Sequence, residues 1–155
     1  MHANAARVQA ALAARGCAAQ VVELPDRTGT AAEAAAAVGA DVAAIAKSLV
    51  FLVGGEPVLA IASGAHRVAE DRLAAWAGGP VRRPDADTVR RLTGFPVGGV
   101  PPLAHDRPLR TVVDAALLAH PRVWAAAGTP HALFAIAPAE LVALAGADVA
   151  ELGAG

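Results

Sequence analysis

A single lysine, Lys47, stands among twelve arginines. A chain that uses arginine wherever a positive charge suffices would keep lysine where a compact three-donor ammonium is needed, although chance retention on a solvated surface gives the same count. Lys47 opens the apolar run Lys47-Ser-Leu-Val-Phe-Leu-Val53. Its ammonium is therefore expected to project from a rigid strand into a partly dry pocket, where charge acts more strongly on a carbonyl or phosphate. A second feature is Gly94-Phe-Pro-Val-Gly-Gly-Val-Pro-Pro102. Its adjacent glycines, Gly98 and Gly99, can turn backbone amides toward a developing oxyanion, and the plainer reading is a rigid turn. His131 follows Gly128-Thr-Pro130 and precedes an apolar run. It is either a polar reader of the same pocket or an exposed loop histidine.

Other chemistries find little support. His2, His66, His105, His120 and His131 are scattered, and no cysteine or carboxylate completes a ligand spacing, so no metal is expected. Cys17, next to Gly16, reads as a buried filler thiol. Ser48 and Ser63 lack the context of a nucleophile elbow. The glycine loop has neither the Walker spacing nor the dinucleotide fingerprint.

The elements that must position these residues follow from local pattern. Ala3 to Arg15 reads as a helix stopped at Gly16, and Ala18 to Leu24 as a strand ending at Pro25. Thr30-Ala-Ala-Glu33 fits a capping box for an alanine-rich helix that ends at Gly39, and Asp41 caps a short turn through Ile45. Lys47 to Val53 and Pro57 to Ala62 read as two apolar strands joined by a tight hairpin at Gly54-Gly-Glu56. Ala69 to Ala77 and Asp85 to Leu92 have helical character, and Thr93 to Pro102 must be a loop. Strands are expected at Leu109 to Val113, Arg122 to Ala127 and Ala132 to Ile136. A helical turn falls at Asp114 to Ala119, and a final helix over Pro138 to Ala145 carries proline in its first turn. Helices interleaved irregularly with hairpin-linked strands fit an α/β (α+β) domain on a mixed, barrel-like sheet surrounded by helices.

The chain has 155 residues, 55% hydrophobic and 17% charged, which suits one folded domain over residues 1–155 and argues against disorder. Its apolar runs are much shorter than the ~20 residues of a membrane span. No leader-like segment opens the chain and one cysteine cannot form an internal disulfide, so a cytoplasmic protein is expected. With a net charge of −1, any nucleic-acid contact would need a local basic patch, such as Arg67, Arg72, Arg82, Arg83, Arg90 and Arg91.

Four segments in order carry a resemblance. They are Thr30-Ala-Ala-Glu-Ala-Ala through Ile45-Ala-Lys-Ser-Leu-Val-Phe51, Ala62-Ser-Gly-Ala-His-Arg-Val68, Thr93-Gly-Phe-Pro-Val-Gly-Gly-Val-Pro-Pro-Leu103 and Ala127-Gly-Thr-Pro-His-Ala-Leu-Phe134. Together they resemble the YbaK/EbsC family of aminoacyl-tRNA deacylase domains, related to the editing insertion of bacterial prolyl-tRNA synthetases. The resemblance implies hydrolysis of the ester on a mischarged tRNA, with no metal or organic cofactor, and prolyl-tRNA synthetase as a further partner. Lys47 matches the family's functional lysine and would hold the terminal phosphate or the substrate carbonyl, with Gly98 and Gly99 offering amides. Thr30, Ser48, Ser63, Phe95, Pro96, Val97, Gly128 and His131 fall in the matching segments as substrate-binding residues. The serine and acidic residue of cysteinyl-tRNA deacylases are absent, since Ala127-Gly128 and Ala135 occupy that stretch. The implied cargo is a small amino acid such as Ala, Ser, Thr or Cys on tRNA(Pro). The rival is a non-catalytic nucleotide, aminoacyl-ligand or tRNA-binding module of the same fold, and a small-metabolite esterase is a third reading.

Overall fold

The computed structural model describes residues 1–154. Among these residues five α-helices form: α1 (Ala3–Ala14), α2 (Ala31–Val38), α3 (Glu70–Ala77), α4 (Ala86–Thr93) and α5 (Pro138–Ala145). Eight strands accompany them: β1 (Val22–Glu23), β2 (Ile45–Val53), β3 (Glu56–Ser63), β4 (Val81–Arg82), β5 (Arg110–Asp114), β6 (Val123–Ala126), β7 (Ala132–Ile136) and β8 (Asp148–Ala150). They make one mixed sheet in the order β1-β7-β6-β2-β3-β5-β8, with β4 paired to β2 off that path. The expected mixed α/β architecture is present. The ladder has two ends, β1 and β8, rather than closing as a hydrogen-bonded ring.

Alternation along the strands sends successive side chains to opposite sheet faces. Ala46 and Val50 of β2, Leu59 and Ile61 of β3 and Val113 of β5 join the larger core with Val8 and Leu12 of α1, Val89 of α4 and Leu141 of α5. Phe51, Val58, Ala60 and Val112 face the other way and meet Leu73 of α3 and Leu152. Ile45 and Leu133 pack under Ala34 and Ala35 of α2. Alanine-rich α2 buries only methyl groups, so its start depends on the cap. Thr30 Oγ1 accepts from the Glu33 amide and Glu33 Oε1 accepts from the Thr30 amide, the expected capping box.

The structure departs from the sequence expectation at the sheet margins. Strand pairing of the first run is limited to Val22 and Glu23 against Leu133 and Ala132. The residues before it are satisfied by a side chain instead, since Gln9 donates to the Ala19 carbonyl and accepts from the Val21 amide. β4 and β8 were not expected. Each has two or three residues and little apolar alternation, and exists only because Leu52 and Val53 of β2 or Val112 to Asp114 of β5 supply a partner edge. β2 begins at Ile45, so Lys47 is its third residue rather than its first.

Candidate functional site

β2 shares one edge between two neighbours. β6 pairs with it only at Ile45 and Ala46, and β4 only at Leu52 and Val53, leaving the edge from Lys47 to Phe51 without a strand partner. β6 leaves because its chain turns away at Gly128 (φ 93°), whose amide donates to the Gly99 carbonyl. A cavity of about 170 Å³ fills the gap. Its walls are Lys47, Ser48, Leu49 and Val50 on the open edge, Thr28 to Ala31 at the start of α2, Val97, Gly98 and Val100, and Arg83 after β4. Ala34, Ile45, Val89, Ala126 and Leu133 close it with apolar surface.

Lys47 Nζ donates to the His66 carbonyl at 3.0 Å. Burial, then the like charges of Arg83 and Arg67, hold its ammonium below the ordinary lysine range, with Asp114 pulling the other way. An anion placed beside these cations would relieve their repulsion. The loop that presents the His66 carbonyl is itself fixed. His66 Nε2 lies 2.5 Å from Asp114 Oδ2, which also accepts from the Ser63 amide at 3.3 Å, while Asp114 Oδ1 accepts from the Ala116 amide at 3.1 Å. Burial pushes the Asp114 carboxyl up, but the His66 and backbone hydrogen bonds outweigh it and leave the group below the ordinary aspartate range. From the other side Ala154 donates to the Arg67 carbonyl, and Gly153 sits so close to the His66 ring that a Cβ there would come within 2.8 Å of it.

The glycine loop forms a tight turn in which Gly99 N donates to the Pro96 carbonyl at 2.9 Å and Gly98 takes φ 86°. The Gly99 amide is thereby committed, a correction to the expectation that both glycines offer amides to a ligand oxygen. Gly98 lines the cavity. The two glycines instead let three loops close on one another: a Cβ on Gly98 would lie 3.2 Å from the Gly29 carbonyl oxygen, and one on Gly99 would lie 2.9 Å from the Thr129 backbone.

Of the expected site residues, Thr30, Lys47, Ser48, Val97 and Gly98 come together around the cavity. Ser63, Phe95, Pro96, Gly99, Gly128 and His131 are not in its walls. Ser63 Oγ is turned to the Ala43 carbonyl at 2.8 Å. Phe95 is fully buried, with the Arg7 guanidinium 4.7 Å from its ring centre. Pro96 and Gly128 border a neighbouring hollow with His2, Asn4 and Arg90. His131 donates its amide to Thr129 Oγ1, and its carbonyl accepts from Leu24. Thr28 joins the wall without any motif to announce it, brought there by a 2.6 Å bond from its amide to the Pro130 carbonyl. The His66–Asp114 pair was likewise invisible locally, because its partners are 48 residues apart.

Among the described residues no carboxylate or imidazole lines the cavity, and no cluster of three or more His, Cys, Asp or Glu could hold a metal. No helix is long and apolar enough to cross a membrane. The fold and site thus define a pocket protein whose cavity is cationic at its rim and otherwise small and mainly apolar. The chain belongs to the aminoacyl-tRNA editing domain family, the YbaK family, which matches residues 26–144. Its backbone superposes on the crystal structure of a candidate trans-editing enzyme for prolyl-tRNA synthetase with TM-score 0.95 and 49% identity, covering 100% of this chain and 99% of that one. A structure from computational epitope grafting onto scaffold proteins gives 0.94 and 47%, over 100% and 99%. The hypothetical protein APE2540 gives 0.89 and 36%, over 96% and 99%. No curated protein matches the chain significantly.

Proposed function

We propose that the protein is a trans-acting deacylase that hydrolyses the ester of a small amino acid mischarged on tRNA(Pro). The observation that carries this reading is the sole lysine at an open strand edge, its ammonium held by the His66 carbonyl beside Arg83 and Arg67. That cluster suits the phosphate or the polarised carbonyl at the acceptor end of tRNA, while the apolar interior suits a small aminoacyl group. With no carboxylate or imidazole in the wall among the described residues, the cavity supplies positioning and positive charge. The attacking water is then activated by the substrate's own neighbouring ribose hydroxyl. Family membership and the candidate trans-editing relative support the editing role, and the same relative supports prolyl-tRNA synthetase as a partner.

The lack of a protein base in the wall also favours a second reading, a module that binds the aminoacyl end without turnover. Release of labelled amino acid from alanyl-, cysteinyl-, seryl- and threonyl-tRNA(Pro) separates the two. Lys47-dependent release from one substrate is the expected result. Silence across the panel, with retained binding of an aminoacyl-adenosine analogue, supports the binding module instead.

A further inference from the structure

After β8 the chain runs along the 67–69 segment, outside the residues 26–144 that match the family. Leu152, fully buried with Phe51 and Leu73, anchors this run. Its carbonyl accepts from the Ala69 amide at 2.7 Å, the Ala154 amide donates to the Arg67 carbonyl at 2.9 Å, and Gly153 pairs with Val68 between them. That ladder sets Gly153 against the His66 ring. A Cβ at position 153 would meet Cε1, Nε2 and Nδ1 at 2.8, 2.8 and 2.9 Å. Near-equal distances to three consecutive ring atoms place it over the face of the imidazole. The φ of Gly153 lies outside the left-handed region, so its backbone conformation does not call for glycine, and the ring does.

We propose that Gly153 is a positioning residue for Lys47, acting through the His66 ring. The ring has little room to yield. Its Nε2 lies 2.5 Å from Asp114 Oδ2, and that buried carboxylate is tied in turn to the Ser63 and Ala116 amides. The 152–154 run is pinned by Leu152 and its two backbone bonds. A methyl group at 153 therefore displaces residue 66, whose carbonyl holds the Lys47 ammonium at 3.0 Å. A small shift suffices, because such a bond weakens beyond about 3.2 Å. The effect on the ammonium stands on this geometry alone, and the effect on turnover rests on the deacylase reading.

As the sole lysine, Lys47 gives one ε-methylene signal when the full chain carries isotope-labelled lysine. Held by the His66 carbonyl, its two ε protons are inequivalent, and freed they merge. They are expected apart in the wild type and merged in both Gly153→Ala and His66→Ala. On the tRNA(Pro) substrate released fastest, kcat/KM should fall by about tenfold or more in Gly153→Ala. Adding Gly153→Ala to His66→Ala should cost less than about twofold, because the ring through which the methyl acts is gone. Merged protons in the wild type, an unchanged lysine signal in either single variant, or losses that multiply in the double variant overturn the proposal. If Gly153→Ala does not fold, the double variant decides: recovery of a native melt supports the proposal, and failure of both overturns it. Silence of the wild type on every substrate refutes the deacylase reading instead, and the lysine signal alone then judges Gly153.

Discussion

Replacing Lys47 with methionine should separate stability from activity, and the structure sets the size of both effects. The lost bond to the His66 carbonyl, 3.0 Å long, is charge-assisted. Such bonds contribute about 1.5–3 kcal/mol. Against this stand the burial of the ammonium and repulsion from Arg83 and Arg67, the causes of its lowered pKa. These oppose the lost bond, so the fold should lose less than the bond's full ~1.5–3 kcal/mol, at about 2–4 °C of melting temperature per kcal/mol for a chain of this size. Turnover has no such offset. Removing one preorganised electrostatic donor costs about 10²–10³-fold, or about 2.7–4 kcal/mol of transition-state stabilisation. Single-turnover release of labelled amino acid, run beside a thermal melt, reads both quantities. Activity within tenfold of wild type would remove Lys47 from the mechanism, and a melt lowered by more than about 10 °C would make the lysine structural. Lys47→Arg sharpens the test, because its planar fork does not reproduce the compact ammonium, and full turnover in that variant would sink the argument from composition. The sign of the linkage also follows. Since the folded-state pKa is lowered, the charged lysine is disfavoured in the fold, so its contribution to stability improves as pH rises from that value toward the unfolded one.

Other expectations concern the frame around the cavity. Asp114→Asn should cost about 1–3 kcal/mol, because the 1% exposed carboxylate serves His66, Ser63 and Ala116, and turnover should fall as the His66 carbonyl shifts. The lowered pKa of Asp114 means that its contribution is complete above the unfolded value of about 3.9 and is lost as pH falls through the folded value. Acid melts of the asparagine variant should therefore be flatter in that window, and an unchanged profile would count against the pairing. His105 is pushed down, chiefly by burial, so the fold favours its neutral form. Stability tied to this residue should be complete above about pH 6.5 and decline below it, which His105→Phe would test by removing the slope. Gly98→Ala should lose about 1–2 kcal/mol from its positive φ. Gly99→Ala should lose at least as much, because the added methyl meets the Thr129 backbone; melts of both variants at wild-type levels would refute the account of the three-loop contact. Added salt should weaken binding of aminoacyl-tRNA more steeply than binding of aminoacyl-adenosine, in proportion to the phosphates contacted, and equal slopes would exclude the surface arginines from tRNA contact.

The catalytic economy proposed here depends on a defect in the sheet. A continuous β6 would pair with β2 along its length and leave no room for a ligand. Gly128 and the two glycines of the 96–99 turn end that pairing by drawing the neighbouring loops together. The apolar faces on either side, built on Leu59, Ile61 and Val113 in one direction and Phe51, Val58 and Ala60 in the other, keep the gap rigid.

Much of this was legible in the chain itself. The capping box at Thr30, the hairpin at Gly54 and Gly55 and the last helix from Pro138 all rest on short-range patterns, because caps and tight turns are local physics. The glycine loop was legible as a rigid turn, but not that its Gly99 amide is committed, since that depends on a turn bond that composition does not encode. β4 and β8 are too short to declare themselves and exist through a partner edge. Thr28 and the His66–Asp114 pair reach the site only through contacts between segments far apart in sequence. Sequence by itself determined the helices and the longer strands and singled out the lysine. The tertiary structure alone decided which edge stays open and which carbonyl holds the lysine, because both depend on where distant loops stop.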